Sequence, residues 1–164
     1  MVEIGEKAPG FTLKDIGGNE IKLSSLIGKA YVLLVFYRGS WCPICNTQIA
    51  NFSRDYQKFK KMNTEIVAIS SDSVKGAKMT EEKSRPQFPI LLDTDSEVIE
   101  SYGILVKKRE LKDIPALMHR KRDYAMPSVF IVDKNGIIRY KYAGKSFTDR
   151  PSNEDLLWNL EKLD

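Results

Sequence analysis

Two cysteines at a spacing that suits redox chemistry are the most informative residues of the sequence. Cys42 and Cys45 form a CxxC motif within residues 31–59, which read YVLLVFYRGSWCPICNTQIANFSRDYQKF. Two thiols three residues apart on the first turn of a helix can close a short disulfide without unwinding that helix. The unpaired N–H groups and partial positive charge of a helix start stabilise a thiolate, which is the nucleophilic form of cysteine. The pair therefore predicts a dithiol–disulfide centre.

The residues around the motif predict the elements that would hold it. Residues 31–37 are an unbroken apolar run, typical of a strand covered on both faces, and Pro43 suits the first position of a helix. We expect Cys42, nearer the loop, to be the more exposed thiol and Cys45 to be the buried, resolving one. Apolar residues at three- and four-residue steps indicate the buried face of the helix: Cys45, Ile49, Phe52, Tyr56 and Phe59.

The rest of the chain predicts an α/β sheet with the motif at its edge. Residues 65–70 form a second buried strand, which a right-handed crossover would place parallel to the first. The cysteines then follow the carboxyl end of a strand, where open α/β sheets bind their ligands. Turn and capping signals complete the prediction, with hairpins around residues 17–19 and 133–136 and helices that begin after Ser73, near Glu97 and after Ser152.

Length and composition restrict the class of protein. The chain has 164 residues, of which 42% are hydrophobic and 29% charged, so we expect a single domain over residues 1–164. It shows no leader-like apolar segment and no run of membrane-spanning length, which favours a cytoplasmic protein without membrane contact. In that compartment thiols rest reduced, so a close pair is expected to be catalytic. The net charge of +4 is mixed along the chain and does not indicate nucleic-acid binding.

Metal binding is the main rival to redox chemistry. A structural zinc site needs four ligands, and the chain has two cysteines and only one histidine, His119. Two thiolates alone can hold Cu(I), with Met126 or His119 as an added ligand. A Cu(I)-binding or carrier protein therefore stays open as the alternative. The basic segment 106–124, in which His119 lies, predicts either a lid or docking surface for an acidic partner or a solvated insertion.

Four segments together resemble the peroxiredoxin-like branch of the alkyl hydroperoxide reductase and thiol-specific antioxidant (redoxin) family. They read GEKAPGFTL, FYRGSWCPIC, YAMPSVFIVDKNGIIR and GKSFTDRPS. The resemblance implies a thioredoxin-like α/β fold, with a central mixed sheet flanked by helices and an N-terminal β-hairpin extension. It also implies an antioxidant oxidoreductase without cofactor that reduces a peroxide or a protein disulfide through Cys42 and Cys45. A thioredoxin-type or other thiol reductant would reset the pair. The oligomeric state stays open, with an oligomer as one possibility.

The motif departs from that of standard peroxiredoxins, whose PxxxTxxC motif and strand arginine hold the peroxide. In an ungapped comparison Cys45 occupies the peroxidatic position, Cys42 replaces the threonine and Arg38 replaces the proline. Pro127 stands where the arginine belongs. The resemblance therefore places Cys45 as the thiol that attacks peroxide, whereas position and expected exposure favour Cys42 for attack on a disulfide, and both orders stay open.

What replaces the missing residues is similar to thioredoxin. Trp41 and Pro43 complete a WCxxC motif, and Met126 and Pro127 precede a strand as the cis-proline segment of thioredoxins does. The resemblance assigns supporting roles to these four residues and to Arg38. The carboxylate that thioredoxins bury beneath their disulfide has no counterpart in YVLLVFY, so Cys45 needs another base or water to take its proton.

Overall fold

A computed structural model describes residues 1–107, 123–143 and 150–163 of the chain. Its strands are β1 Thr12–Asp15, β2 Glu20–Lys22, β3 Tyr31–Phe36, β4 Thr64–Ser70, β5 Ile90–Leu92, β6 Leu105–Val106, β7 Tyr124–Ala125, β8 Ser128–Val132 and β9 Ile138–Ala143. Its helices are α1 Leu23–Leu26, α2 Pro43–Arg54, α3 Tyr56–Lys61, α4 Val74–Ser84, α5 Glu97–Ser101 and α6 Asn153–Leu163.

The main sheet is mixed and has seven strands in the order β2-β1-β5-β4-β3-β8-β9. β4 runs parallel to both β3 and β5, and the other neighbours in the sheet are antiparallel. Every residue of β3 is buried, as its apolar sequence predicts. The N-terminal hairpin of β1 and β2 pairs with β5 and extends the sheet on that side. The predicted mixed sheet, crossover and N-terminal hairpin extension are confirmed.

Alternation along β3 divides the core between the two faces of the sheet. Leu33 and Val35 belong to one apolar cluster with both cysteines and with Ile49 of α2. Val32, Leu34 and Phe36 belong to the other cluster, in which the Phe36 and Phe130 rings meet edge to face at 5.8 Å. The cysteines therefore pack on the face of the sheet that α2 covers.

The helix that follows the motif is shorter than its apolar stripe predicts. α2 ends at Arg54 and α3 starts at Tyr56, with Asp55 between them outside helical geometry (φ −96°, ψ 12°). Asn153, at the start of α6, donates to the Asp55 carboxylate at 2.9 Å and to the Asn51 carbonyl at 3.0 Å. A residue distant in sequence thus bonds the polar groups exposed at the break and ties α6 to it.

The two ends of the segment 106–124 are joined by an antiparallel pair of strands, β6 and β7. The helix predicted within it, and His119, lie outside the described residues. Over the parts of the chain that the structure describes, no helix is both long enough and apolar enough to cross a membrane.

The buried carboxylate of Asp93 predicts a pH-dependent stability. Burial is the main cause that raises the pKa of Asp93 from 3.8 to about 6, and Asp95 raises it further. Hydrogen bonds from the backbone N–H groups of Ile99 and Val98 act in the opposite direction. A raised folded-state pKa gives stability that is fully present below 3.8 and lost as the pH rises through about 6, worth about 3 kcal/mol at most. Urea unfolding across that interval should show a falling free energy of unfolding, and Asp93→Asn should flatten the fall.

Asp55 supplies a control, because its pKa is shifted in the opposite direction to that of Asp93. Hydrogen bonding by Asn153, followed by Arg54, lowers the pKa of Asp55, so its contribution is lost as the pH falls. Asp55→Asn should therefore leave the wild-type fall between the two pH values intact or make it steeper. A fall that persists unchanged in Asp93→Asn would show that another group causes it.

Candidate active site

The local sequence places both thiols at the start of α2. Cys42 is the N-cap residue, in extended geometry, and its Sγ accepts a hydrogen bond from the Cys45 backbone N–H at 3.3 Å. Pro43 occupies the first helical position, as predicted. Both cysteines are free thiols. The cap sulfur thus takes the place of the serine or aspartate oxygen that usually bonds the first N–H groups of a helix.

The expected difference in exposure between the two thiols is almost absent. The exposed fraction of Cys42 is 2%, against 0% for Cys45, so both thiols are buried. The reason is a side chain from the far end of the chain, since the Arg150 guanidinium lies against both sulfurs. Its Nη2 is 3.1 Å from the Cys45 Sγ and 3.9 Å from the Cys42 Sγ.

Arg150 is the site residue that sequence reasoning missed. It lies between β9 and α6, and its Nη1 donates to the Oε1 of Gln48 on α2, which fixes the other edge of the guanidinium. It belongs to the segment GKSFTDRPS, whose resemblance to the family was the only available signal. The guanidinium beside the thiols therefore comes from a part of the chain other than position 127.

The surroundings of the two thiols shift their pKa values in opposite directions. A hydrogen bond from the Cys45 thiol lowers the pKa of Cys42 to about 5, helped by the Cys45 backbone N–H and the charges of Arg150 and Arg38 and opposed by burial. The same hydrogen bond, followed by burial, raises the pKa of Cys45, although Arg150 acts in the other direction. At neutral pH the pair therefore holds one negative charge, at Cys42, and one proton, at Cys45.

The Arg38 side chain belongs to an aromatic stack. Its exposed fraction is 9%, and its Cζ lies 4.4 Å from the Trp41 ring centroid and 5.0 Å from that of Tyr124. The two rings meet edge to face at 5.6 Å. A side chain at Gly39 would collide with the Trp41 indole, so this approach needs glycine. The stack fixes the loop before Cys42 and keeps a second positive charge near the pair.

Met126 and Pro127 take positions that differ from those in the thioredoxin comparison. The described residues contain no cis peptide bond, so the Met126–Pro127 bond is trans. Met126 packs in the cluster on the opposite face of the sheet from the cysteines, and its backbone N–H donates to the Ile104 carbonyl at 2.8 Å. Pro127 is buried directly before β8, one position beyond the Phe36–Ser128 pair. The structure brings Arg38, Trp41 and Pro43 to the thiols, but not the Met126 side chain.

A groove of about 560 Å³ leads from the surface to Arg150. The outer face of α2 forms one wall and the start of α6 forms the other, with Ile44, Gln48, Arg150, Pro151 and Leu157 among the lining residues. Ile44, next to the buried thiols, has an exposed fraction of 40%. The groove is much larger than the volume of one water molecule, about 30 Å³, so it has room for an organic molecule or a peptide segment.

The described residues include no group of three or more His, Cys, Asp and Glu side chains that could hold a metal ion. The arrangement at the pair is instead one of a thiolate, a thiol and a guanidinium within direct reach of one another. Such a set can attack an electrophilic oxygen or sulfur and then close a disulfide.

Comparisons with known proteins agree with this chemistry. A family model described as "AhpC/TSA family" matches residues 4–141. The chain is 31% identical to the chloroplastic 2-Cys peroxiredoxin BAS1 of Hordeum vulgare over 93% of its length and 71% of that protein. It is 28% identical to the thiol-disulfide oxidoreductase ResA of Bacillus thuringiensis, over 88% of this chain and 72% of the relative. The chain spans about half the length of two further BAS1 relatives.

A solved structure shows the same fold at low sequence identity. The peroxidoxin BcpB of Mycobacterium tuberculosis superposes with a TM-score of 0.84 at 21% identity, covering 100% of this chain and 99% of that one. The thioredoxin-like fold predicted from the resemblance is therefore confirmed.

Proposed function

Because the chain belongs to the AhpC/TSA family and is a thiol-dependent oxidoreductase, we propose that it reduces peroxides through a cycle in which Cys42 attacks and Cys45 resolves. The observation that carries this order is the division of charge in the pair, with a thiolate at Cys42 and a proton at Cys45. The ungapped comparison with standard peroxiredoxins favours the reverse order, but it takes no account of Arg150 or of the cap position.

In the first step the Cys42 thiolate attacks one oxygen of the peroxide. The O–O bond breaks, Cys42 becomes a sulfenic acid, and the alkoxide or hydroxide that leaves takes a proton from water. Arg150 has the geometry to bind the peroxide oxygens beside the sulfur, since its Nη2 already lies 3.1 and 3.9 Å from the two Sγ atoms. It would supply the positive charge that the missing strand arginine supplies elsewhere.

In the second step the Cys45 sulfur attacks the Cys42 sulfenic acid. A disulfide forms and hydroxide leaves as water, so two thiols and one peroxide give one disulfide, one alcohol or water, and one further water. A dithiol protein of the thioredoxin type would then reduce the disulfide by thiol–disulfide exchange. We propose that this cycle takes place in a compartment that keeps thiols reduced, such as the cytoplasm.

Reduction of protein disulfides is the second candidate function. It is favoured by the WCxxC motif and by the similarity to the thiol-disulfide oxidoreductase ResA. The relatives lend no support to copper binding. Met126, the added ligand considered for Cu(I), packs on the other face of the sheet from the two thiols.

The rate of thiol loss in fully reduced protein tests the proposal. At neutral pH a thiol with a pKa of about 5 is almost fully ionised, a gain of about thirtyfold in thiolate over free cysteine. A low-pKa sulfur is also a weaker nucleophile, by a similar factor. Any large acceleration must therefore come from groups that bind and polarise the peroxide.

We expect hydrogen peroxide to consume the thiols about a hundredfold faster than it consumes free cysteine, because one positioned hydrogen bond to a charged group contributes about 1.5–3 kcal/mol. Insulin serves as the parallel disulfide substrate. If peroxide consumes the thiols no faster than it consumes free cysteine, and the protein reduces insulin rapidly, the protein is a disulfide reductase and not a peroxidase.

A further inference from the structure

Positively polarised groups from three parts of the chain meet at the two sulfurs of the reduced pair. At the start of α2, the Cys45 backbone N–H donates to the Cys42 Sγ at 3.3 Å. Before α6, the Arg150 guanidinium donates to the Cys45 Sγ at 3.1 Å and to the Cys42 Sγ at 3.9 Å. After β3, the buried Arg38 adds a second cation. A helix start, a donor N–H and two cations all stabilise negative charge on sulfur.

Those contacts weaken when the pair closes into a disulfide. A disulfide carries no charge, and an uncharged sulfur is a weak hydrogen-bond acceptor. The guanidinium stays beside the sulfurs, because its Nη1 donates to the Oε1 of Gln48. The exposed fractions of 2% for Cys42 and 0% for Cys45 leave little room for water to replace the lost contacts. The folded protein therefore stabilises the reduced pair more than its disulfide.

The lowered pKa of Cys42 gives the size of this effect. Its thiol has a pKa of about 5, whereas an unperturbed thiol has a pKa of about 8.5. At pH 7 the difference favours the reduced form about a hundredfold over a pair of ordinary thiols, which corresponds to about 60 mV. Cys45 does not change this factor, because a raised pKa leaves its thiol protonated at pH 7, as an ordinary thiol is.

We propose that the Cys42–Cys45 disulfide is strongly oxidising, so that a monothiol of low molecular weight suffices to reset it. This assignment of the reductant rests on the proposed dithiol cycle. A first monothiol forms a mixed disulfide with one protein sulfur and breaks the Cys42–Cys45 bond. A second monothiol attacks the outer sulfur of that mixed disulfide. The protein gains two electrons, and the products are a small-molecule disulfide, the Cys45 thiol, the Cys42 thiolate and one proton.

The groove between α2 and α6 gives such a monothiol a route to the pair. Its volume of about 560 Å³ has room for an organic molecule, and its lining includes Arg150, which contacts both sulfurs. Thr47, Asn51 and Ser152 also line it and offer hydroxyl and amide groups. These groups suit a peptide-like thiol such as glutathione, which carries amides and carboxylates of its own.

Equilibration of the full-length protein with mixtures of glutathione and glutathione disulfide measures the oxidising strength. Acid quenching and alkylation with a mass-tagging maleimide give the fraction of reduced protein. The same chain in concentrated urea is the reference, because unfolding removes the contacts and keeps the CxxC pair. At pH 7 the equilibrium constant for reduction should be about a hundredfold larger in the folded protein.

Urea unfolding measures the same difference independently. If folding favours the reduced pair, the disulfide form must be the less stable one, because the two equilibria belong to one thermodynamic cycle. Oxidised protein should therefore unfold at a lower urea concentration than reduced protein. A disulfide that serves as a structural cross-link has the opposite effect.

The pH profile of the glutathione equilibrium shows whether a thiolate is the cause. Between about pH 6 and 7.5 the glutathione thiol stays protonated, so reduction of the protein releases one proton from Cys42. The equilibrium constant should rise about tenfold per pH unit in this range and level off below about pH 5. A pair of ordinary thiols that is stabilised by packing alone would show no slope.

Arg150→Met tests the contact that the sulfurs make with the guanidinium. Loss of a charged donor should lower the equilibrium constant at pH 7 about tenfold and move the bend in the pH profile to higher pH. Arg139→Met is the matched control. It removes an arginine that pairs with Asp133 at 3.3 Å and should leave the equilibrium unchanged.

Three results would overturn the oxidising disulfide and leave the cycle intact. They are an equilibrium constant no larger in the folded than in the unfolded chain, a flat pH profile, and a wild-type equilibrium constant in Arg150→Met. If the glutathione equilibrium is as expected but hydrogen peroxide does not oxidise the pair, the proposed peroxide reduction is wrong and the oxidising disulfide stands. If neither peroxide nor glutathione disulfide produces the Cys42–Cys45 disulfide, both proposals are wrong.

Discussion

Replacement of Cys42 by serine should abolish peroxide-dependent thiol oxidation, whereas replacement of Cys45 should stop turnover after one step. The reason is the division of roles, since only Cys42 holds a thiolate at neutral pH and Cys45 retains its proton. In Cys45→Ser the serine hydroxyl can still donate to the Cys42 sulfur, so the thiolate persists and one equivalent of peroxide should produce a stable sulfenic acid. Dimedone labelling followed by mass spectrometry measures that species.

The two single variants act as controls for each other, because each keeps one of the chain's two cysteines. If Cys42→Ser traps the sulfenic acid and Cys45→Ser does not, Cys45 is the attacking residue, as the ungapped comparison with standard peroxiredoxins implies. If neither variant traps a sulfenic acid or a mixed disulfide, the proposed cycle is wrong.

Arg150→Met should slow the reaction of reduced protein with peroxide by one to two orders of magnitude. The substitution removes a guanidinium that donates to both sulfurs, and a hydrogen bond to a charged group contributes about 1.5–3 kcal/mol. It should also raise the pKa of Cys42, because Arg150 is one of the charges that lower it. The pH profile of iodoacetamide alkylation measures that pKa separately from the peroxide rate.

Two further variants show whether the effect belongs to the guanidinium. Arg150→Lys retains the charge but cannot bond Gln48 and a sulfur with separate nitrogens, so its peroxide rate should lie between wild type and Arg150→Met. Arg139→Met removes an arginine of β9 that pairs with Asp133 at 3.3 Å, away from the thiols, and should have no effect on either measurement. Wild-type peroxide rates in Arg150→Met would remove Arg150 from the mechanism.

The elements around the pair could be predicted because short-range signals specify them. An apolar run, a proline at the first helical position and a cysteine at the cap are features of neighbouring residues, and they produce β3 and the start of α2 within a residue of the prediction. The Asn135-Gly136 turn and the Ser152 cap are equally local, since the Ser152 Oγ accepts from the Asp155 N–H at 3.1 Å. The family resemblance added the thioredoxin-like fold class that such signals leave open.

The missed features of the site all join residues that are distant in the chain. Arg150 meets Cys45 across 105 positions, and Asn153 meets Asp55 across 98. Tyr124, at the end of the segment 106–124, meets Trp41. An arginine carries the same local signal whether it lies at the surface or against a thiolate, so no pattern near residue 150 could assign its role.

The sequence by itself determined the CxxC pair and the helix start that holds it, because each depends on residue type and short spacing, and its family resemblance implied the thioredoxin-like fold. Tertiary structure alone decided that both thiols are buried, that the charge rests at Cys42 and which groups lie around the pair. Burial and pKa are sums over all neighbours in space, and for the Cys42 thiolate those neighbours include Cys45, Arg150 and Arg38. Folding assembles that set from three separate parts of the molecule, the end of β3, the start of α2 and the approach to α6.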